Sequence, residues 1–86
     1  MNLYFTNIIF SDGTKFEGFF DIDNVSAVDY EHSGNHYELR VFMYRGRDIS
    51  LLFRDDEQGI AELKKEYQKI LEAVKKRGNI NNQNLT

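Results

Sequence analysis

The sequence predicts an α+β domain: a curled antiparallel meander of five β-strands followed by one long C-terminal amphipathic helix packed on the sheet. Eleven of the twelve aromatic residues lie before residue 54, whereas residues 55–77 are rich in Ala, Leu, Glu and Lys, which favour helix. No proline interrupts either part. The length of 86 residues suits one domain, which we place at residues 1–78, followed by a flexible polar tail at residues 79–86.

The first two strands are predicted from the dipeptide Asp12-Gly13, which is a strong signal for a β-hairpin with a two-residue turn. Pairing residues outward from this turn sets Phe5 opposite Phe20. One face of the pair is then almost wholly apolar. This supports the register, because a slip of one residue would turn every side chain to the other face.

The third strand is predicted over residues 25–32, after a turn at Asp23-Asn24. Its apolar alternation slips by one position between Ala27 and Val28, which predicts a β-bulge there. It is the middle strand of the predicted meander.

The last two strands are predicted to turn around residues 45–47. A two-residue loop would mix apolar and polar side chains on each face of the pair. A three-residue loop sets Val41 opposite Leu51 and Leu39 opposite Phe53, which keeps the apolar side chains on one face. We therefore predict the three-residue loop.

The helix is predicted from apolar residues that recur at spacings of three and four and form one stripe. The stripe consists of Ile60, Leu63, Tyr67, Ile70 and Val74. Asp55 is the predicted N-cap, with Gln58 three residues later in a capping-box arrangement. Gly78 is the predicted C′ residue that ends the helix, and the Asn-rich tail follows it.

Composition and charge exclude several classes of protein. The chain has no cysteine, so a disulfide, a thiolate metal site and a thiol nucleophile are excluded. A net charge of −3, with seven acids against one lysine in residues 1–39, disfavours general phosphate binding. The apolar runs are too short for a membrane span, and the first residues lack the pattern of a signal peptide, so we expect a cytosolic protein.

Side-chain oxygens are clustered at Asp21, Asp23 and Asn24, which could suggest calcium, because calcium favours several oxygen ligands. Aligned as a calcium loop from Asp21, the sixth position is Ser26 where glycine is required, and the twelfth is His32 where glutamate is required. An ordinary acidic turn explains the group better.

His32 and His36 could suggest a metal site, but no predicted helix holds the two rings on one face, so we interpret them as exposed loop residues. No serine has an evident base beside it, and no glycine-rich loop precedes the helix. We expect no metal, no cofactor and no enzymatic activity.

The second face of the predicted sheet is too apolar to be exposed to water, and one helical stripe can cover only one face. It carries Tyr4, Ile8, Phe10, Phe19, Phe42, Tyr44 and Leu52. Either the sheet closes into a small barrel or this face is an interface. We expect a non-enzymatic protein-interaction module that binds a foreign protein or itself, with a homodimer as one outcome.

An alternative function is single-stranded nucleic-acid binding. Arg40, Phe42, Tyr44 and Arg54 share one strand face in the predicted register. Cations interleaved with aromatic rings are typical of surfaces that bind single strands.

A final strand at residues 49–53 that runs through Asp55-Asp56-Glu57 into a long amphipathic helix resembles the end of a pleckstrin-homology-like domain. The resemblance covers residues 25–77 and implies a binding module with a curled sheet capped by its C-terminal helix. Phosphoinositide recognition in that family uses several basic residues in the first hairpin loop. Residues 11–15 contain one base, Lys15, so the resemblance does not imply lipid binding here. The composition, rich in Asn, Ile, Lys and Tyr, is similar to that of many small bacterial, phage or mobile-element proteins of unknown function.

Overall fold

The computed structural model describes residues 2–9 and 15–85 of the chain. Within them it has five strands and one long helix, in agreement with the predicted α+β class. The elements are β1 (Leu3–Ile9), β2 (Lys15–Asp21), β3 (Val25–Ser33), β4 (His36–Met43), β5 (Ile49–Arg54) and α1 (Glu57–Leu85), with a 3-10 turn at Ile22–Asn24. All strand pairs are antiparallel.

The strands form two sheets, so the predicted single five-stranded meander is wrong. β1 and β2 form a two-stranded sheet, and β3, β4 and β5 form a three-stranded sheet in that order. The 3-10 turn separates them. The Asp21 carboxylate caps this turn by accepting the backbone N–H of Asp23 at 3.0 Å, and it also accepts that of Asn2 at 3.1 Å. The turn redirects the chain, so that β2 and β3 are not paired.

The register of the first hairpin differs by one residue from the predicted one. Phe5 lies opposite Phe19, and Thr6 lies opposite Gly18. The predicted turn at Asp12-Gly13 lies outside the described residues. Because side chains alternate between faces, the difference in register turns Tyr4, Thr6 and Ile8 inward and exposes Leu3, Phe5 and Asn7.

The pairing of β4 with β5 differs by two residues, which leaves the two faces as predicted. Leu39 lies opposite Leu51, and Val41 lies opposite Ile49. The loop is longer than the predicted three residues, because the Asp48 carboxylate accepts the Met43 backbone N–H at 2.9 Å and takes the place of a strand partner.

A bulge in β3 is confirmed, although it lies between Val25 and Ala27 and not between Ala27 and Val28. The strand is also one residue longer than predicted.

The core forms where α1 lies across the three-stranded sheet and the inner face of the hairpin. Its buried apolar side chains are Ile8, Phe20, Ile22, Val25, Leu39, Val41, Leu51, Phe53, Leu63 and Ile70. Leu63 and Ile70 have no exposed surface, which places the predicted helical stripe at the centre of the core. On one flank of α1, the Tyr67 ring meets the Tyr30 ring edge-on at 5.0 Å.

Both ends of α1 differ from the prediction. The N-cap is Asp56, whose carboxylate accepts the Gly59 N–H at 2.7 Å, whereas Asp55 pairs with His32 at 2.9 Å. The helix continues past Gly78 to Leu85, so Gly78 does not end it. The tail predicted at residues 79–86 therefore begins inside the helix, and its flexibility stays a prediction. Among the described residues, no helix combines the length and the apolarity needed to cross a membrane.

Arg77 joins α1 to the segment between the two sheets. Its Nη1 donates hydrogen bonds to the carbonyl oxygens of Ile22 and Val25, the latter at 3.2 Å. The contact fixes the helix against the start of β3.

Candidate interaction surface on the first hairpin

The seven side chains predicted to form one apolar face do not share a face. Tyr4 and Ile8 lie on the inner face of the hairpin, where Ile8 is buried in the core and Tyr4 packs its ring on Phe20 at 5.3 Å. Their predicted exposure is wrong, because the one-residue slip turned them inward. Phe10 lies outside the described residues. Phe19 is on the outer face of the hairpin, and the other three lie elsewhere.

Those three, Phe42, Tyr44 and Leu52, belong to β4, the loop after it, and β5. Leu52 is 50% exposed and lies opposite Glu38, so charge adjoins it. The guanidinium of Arg40 stands over the half-buried Phe42 ring at 5.7 Å. The outer face of the three-stranded sheet is therefore mainly polar, as expected for a sheet with one face in the core.

The arginines of the predicted nucleic-acid site are paired with acids. Arg40 forms two hydrogen bonds to Asp29, at 2.7 and 2.8 Å, and one to Glu31 at 3.1 Å. The hydrogen bond to Asp29 raises the pKa of Arg40, and the neighbouring carboxylates raise it further. Arg54 pairs with Asp56 at 2.7 Å. Cations neutralised in this way release few counterions from a nucleic acid, so this geometry gives the alternative little support.

An apolar patch does form on the outer face of the hairpin. It contains Phe19, which was predicted to lie on the apolar interface face, together with Leu3 and Phe5, which the predicted register had buried. Phe5 is 71% exposed, Phe19 63% and Leu3 40%. Phe5 and Phe19 are direct cross-strand neighbours, with ring centroids 5.6 Å apart. We call Leu3, Phe5 and Phe19 the hairpin patch.

β1 also has a free edge. β2 is its single strand neighbour among the described residues. The Ile22 N–H donates to the Asn2 carbonyl at 2.8 Å, so the alternation of an antiparallel pair directs the backbone groups of Leu3, Phe5 and Asn7 away from β2. Within the described part of the chain, these outward groups have no hydrogen-bond partner.

A buried carboxylate lies beside this strand on its inner side. Glu66 of α1 is 9% exposed, and its Oε1 accepts hydrogen bonds from the hydroxyls of Tyr4 at 3.0 Å and Thr6 at 2.9 Å. Burial raises the pKa of Tyr4, and the charge and hydrogen bond of Glu66 raise it further, because both favour the neutral phenol. The sequence carries no signal of this site, since a glutamate in a charged helix is normally exposed.

A groove of about 450 Å³ separates β1 from α1. Its lining residues are Tyr4, Phe5, Thr6 and Asn7 from β1, and Glu66, Lys69, Glu72, Ala73 and Lys76 from α1. The free edge of β1, Phe5 of the hairpin patch and Glu66 therefore adjoin a single concave surface.

The other predicted polar clusters have internal roles. His32 bonds Asp55, and its ring contacts the Tyr37 ring in a tilted arrangement with centroids 4.7 Å apart, while His36 contacts Asn35 at 3.4 Å. Asp21 is a capping residue, which confirms the interpretation as an ordinary turn. Over the residues that the structure describes, no three His, Asp or Glu side chains are grouped closely enough to hold a metal ion.

Comparisons with protein-family models, with curated proteins and with solved structures gave no match to this chain. The resemblance to pleckstrin-homology-like domains therefore stays a prediction.

Proposed function

We propose that this chain is a non-enzymatic protein-interaction module and that its contact surface is the first hairpin. The observation that carries the proposal is the exposed pair of Phe5 and Phe19. Aromatic side chains dominate the energy of protein interfaces, and two adjacent exposed rings without a polar tip are costly to leave in water. On the inner face of the same strand, the hydroxyls of Tyr4 and Thr6 are engaged in hydrogen bonds to Oε1 of Glu66, which supports binding over catalysis.

The size of the hairpin patch limits the kind of contact it can make. From their exposed fractions, its three side chains present roughly 300 Å² of apolar surface. A stable complex of two folded proteins buries about 800 Å² on each partner. The homodimer expected from the sequence would therefore need further surface, and we propose that the hairpin contacts a foreign protein through a narrower region.

The test uses a display library of random peptides long enough to span the seven residues of β1. We expect the wild-type chain to select peptides, and Phe5→Ser and Phe19→Ser to lose them. The matched control is Leu52→Ser, which removes an equally apolar exposed side chain from the other sheet and should leave peptide binding unchanged. The proposal fails if no peptide is selected, or if the selected peptides bind the patch variants as well as the wild type.

Two further measurements separate the remaining functions. Sedimentation equilibrium from micromolar to millimolar concentration tests the homodimer, and a concentration-dependent mass that Phe19→Ser abolishes would show that the patch binds a second copy. A labelled single-stranded oligonucleotide tests the alternative function. Binding that weakens steeply with salt and depends on Arg40 would establish it.

A further inference from the structure

We propose that the groove between β1 and α1 binds an extended polypeptide segment as a third strand on the free edge of β1, with a lysine or arginine side chain of that segment paired with Glu66. This inference rests on the proposed function and names the partner of that surface. Three features support it: the free edge of β1, the shape of the groove, and the carboxylate oxygen Oε2 of Glu66, which accepts no hydrogen bond from the described residues.

The edge of β1 lacks the features that usually prevent strand addition. Natural edge strands are protected by charged side chains, proline, bulges or a covering element. β1 spans seven residues, contains no charged residue and no proline, and pairs with β2 without a register shift. The outward backbone groups of Leu3, Phe5 and Asn7 therefore form a ready template for main-chain hydrogen bonds.

The groove has room for a strand. Neighbouring strands lie about 4.8 Å apart, so an added strand would run beside β1 with α1 as its opposite wall. A volume of about 450 Å³ falls within the range of ligand sites in proteins. Ala73 has a small side chain and leaves space in the helix wall, and the lining holds two carboxylates, Glu66 and Glu72, and two exposed lysines, Lys69 and Lys76.

Glu66 determines the chemistry of the segment. Both of its hydrogen bonds end on Oε1, and no described residue donates one to Oε2. None of the ion pairs in the described part of the chain involves Glu66. No fully buried side-chain oxygen among these residues lacks a partner, so Oε2 is accessible from outside the core. Glu66 lines the groove and also a smaller cavity next to it, beside Ile8 and Lys65. A carboxylate largely withdrawn from water gains most from a cationic partner.

The side chains of the added strand would alternate between the two faces of the sheet, and this alternation determines which of them reaches Glu66. Side chains that lie laterally beside Tyr4 and Thr6 point to the same inner side as they do, toward Glu66. The intervening side chains point outward and lie beside Leu3 and Phe5. The segment should therefore carry a basic residue flanked at its neighbouring positions by apolar ones.

A second copy of this chain fits the groove less well. Pairing β1 with its own copy would place Leu-Tyr-Phe-Thr-Asn-Ile-Ile in the groove, and this strand has no basic side chain to meet Glu66. The missing cation favours a foreign segment over self-pairing.

The test compares two matched peptides, both alternating in apolar and polar residues and both capped at their ends. One has a central arginine, and the other has glutamine at that position. We expect the arginine peptide to bind the wild-type chain at least about tenfold more tightly by calorimetry. In Glu66→Gln, whose amide oxygen can still accept from Tyr4 and Thr6, this difference should vanish. The control Glu57→Gln, which removes an exposed carboxylate at the start of α1 away from the groove, should preserve it.

Hydrogen exchange provides a readout that does not depend on any variant. Binding of the arginine peptide should slow exchange of the backbone amides of Leu3, Phe5 and Asn7, and a peptide methylated on alternate backbone nitrogens should not bind. Peptide binding that Phe19→Ser weakens would support the proposed function. If, in that case, the arginine and glutamine peptides bind with equal affinity, or the amides of Leu3, Phe5 and Asn7 stay unprotected, this inference is wrong and the proposed function stands. If no peptide binds, both are wrong.

Discussion

Gly59 is a position where one added methyl group should destabilise the fold. It lies in the first turn of α1, and a Cβ built there would stand 1.9 Å from the carbonyl oxygen of Arg54 and 2.7 Å from its carbonyl carbon. These are backbone atoms at the end of β5, so no side chain can rotate away. Ordinary contact between such atoms is about 3.5 Å, so Gly59→Ala must push strand and helix apart by roughly 1.5 Å.

The expected magnitude combines two opposed effects. Alanine is the better helix former by about 1 kcal/mol, which alone would stabilise the protein. Overpacking a tight site costs about 1–3 kcal/mol, and the shift would also strain the hydrogen bond from Gly59 to Asp56, a cap worth about 1 kcal/mol. Because the rigid backbone places the overpacking at the upper end of its range, we expect a net loss of about 3 kcal/mol.

Thermal unfolding followed by circular dichroism measures this loss. In a domain of this size, about 3 kcal/mol should lower Tm by more than about 10 °C. The control is Gln58→Ala at the neighbouring exposed position, which should stay within about 0.5 kcal/mol of wild type. A Gly59→Ala variant as stable as wild type, or more stable, would refute the close approach of Arg54 to the helix.

Three other predictions concern the core, the buried phenol and the end of the chain. Leu63→Ala or Ile70→Ala should each lower the free energy of unfolding by about 2–5 kcal/mol, and near-wild-type melting of both would show that the stripe lies outside the core. Because the pKa of Tyr4 is raised in the fold, the unfolded chain loses that proton first, so stability should fall as pH rises above about 10. Urea denaturation at several alkaline pH values should show a smaller fall for Tyr4→Phe, and identical profiles would contradict the assignment. Removing residues 79–86 should change stability by less than about 0.5 kcal/mol in the same urea assay, and a larger loss would show that the segment packs on the domain.

The helix and the inner faces of β4 and β5 could be predicted because their apolar residues follow one period. Leu63 and Ile70 lie in a stripe with polar residues on the opposite side, so the sequence offers one way to bury them. The predicted pairing of β4 with β5 differs from the structure by two residues, although the side chains were assigned to the correct faces of the sheet. The loop length depends on the bond from Met43 to Asp48, and apolar alternation carries no information about such a bond.

The hairpin could not be predicted in the same way, because both of its faces are apolar. Leu3 and Phe5 alternate with Tyr4 and Ile8, so either face could have been buried. The structure buries the face that carries Tyr4 and Thr6. Their hydroxyls satisfy a carboxylate about sixty residues later in the chain, and no local pattern contains that pairing. Because local sequence patterns carry no information about polar contacts between distant residues, the burial of Glu66 could not be predicted either.

The polar attachment of the hairpin to α1 bears on its function. A buried carboxylate held by two hydroxyls contributes little stability compared with an apolar side chain of the same volume, so Glu66 adds a charge more than it adds packing. A strand added beside β1 would contact the main chain of the edge, the ring of Phe5 and the carboxylate of Glu66 together. The register that pairs Phe5 with Phe20 would not offer these three, because it turns Tyr4 and Thr6 away from Glu66 and buries the ring. The register of the first hairpin therefore determines which side chains are available to a partner. On the proposal above, it also determines the charge that this partner carries.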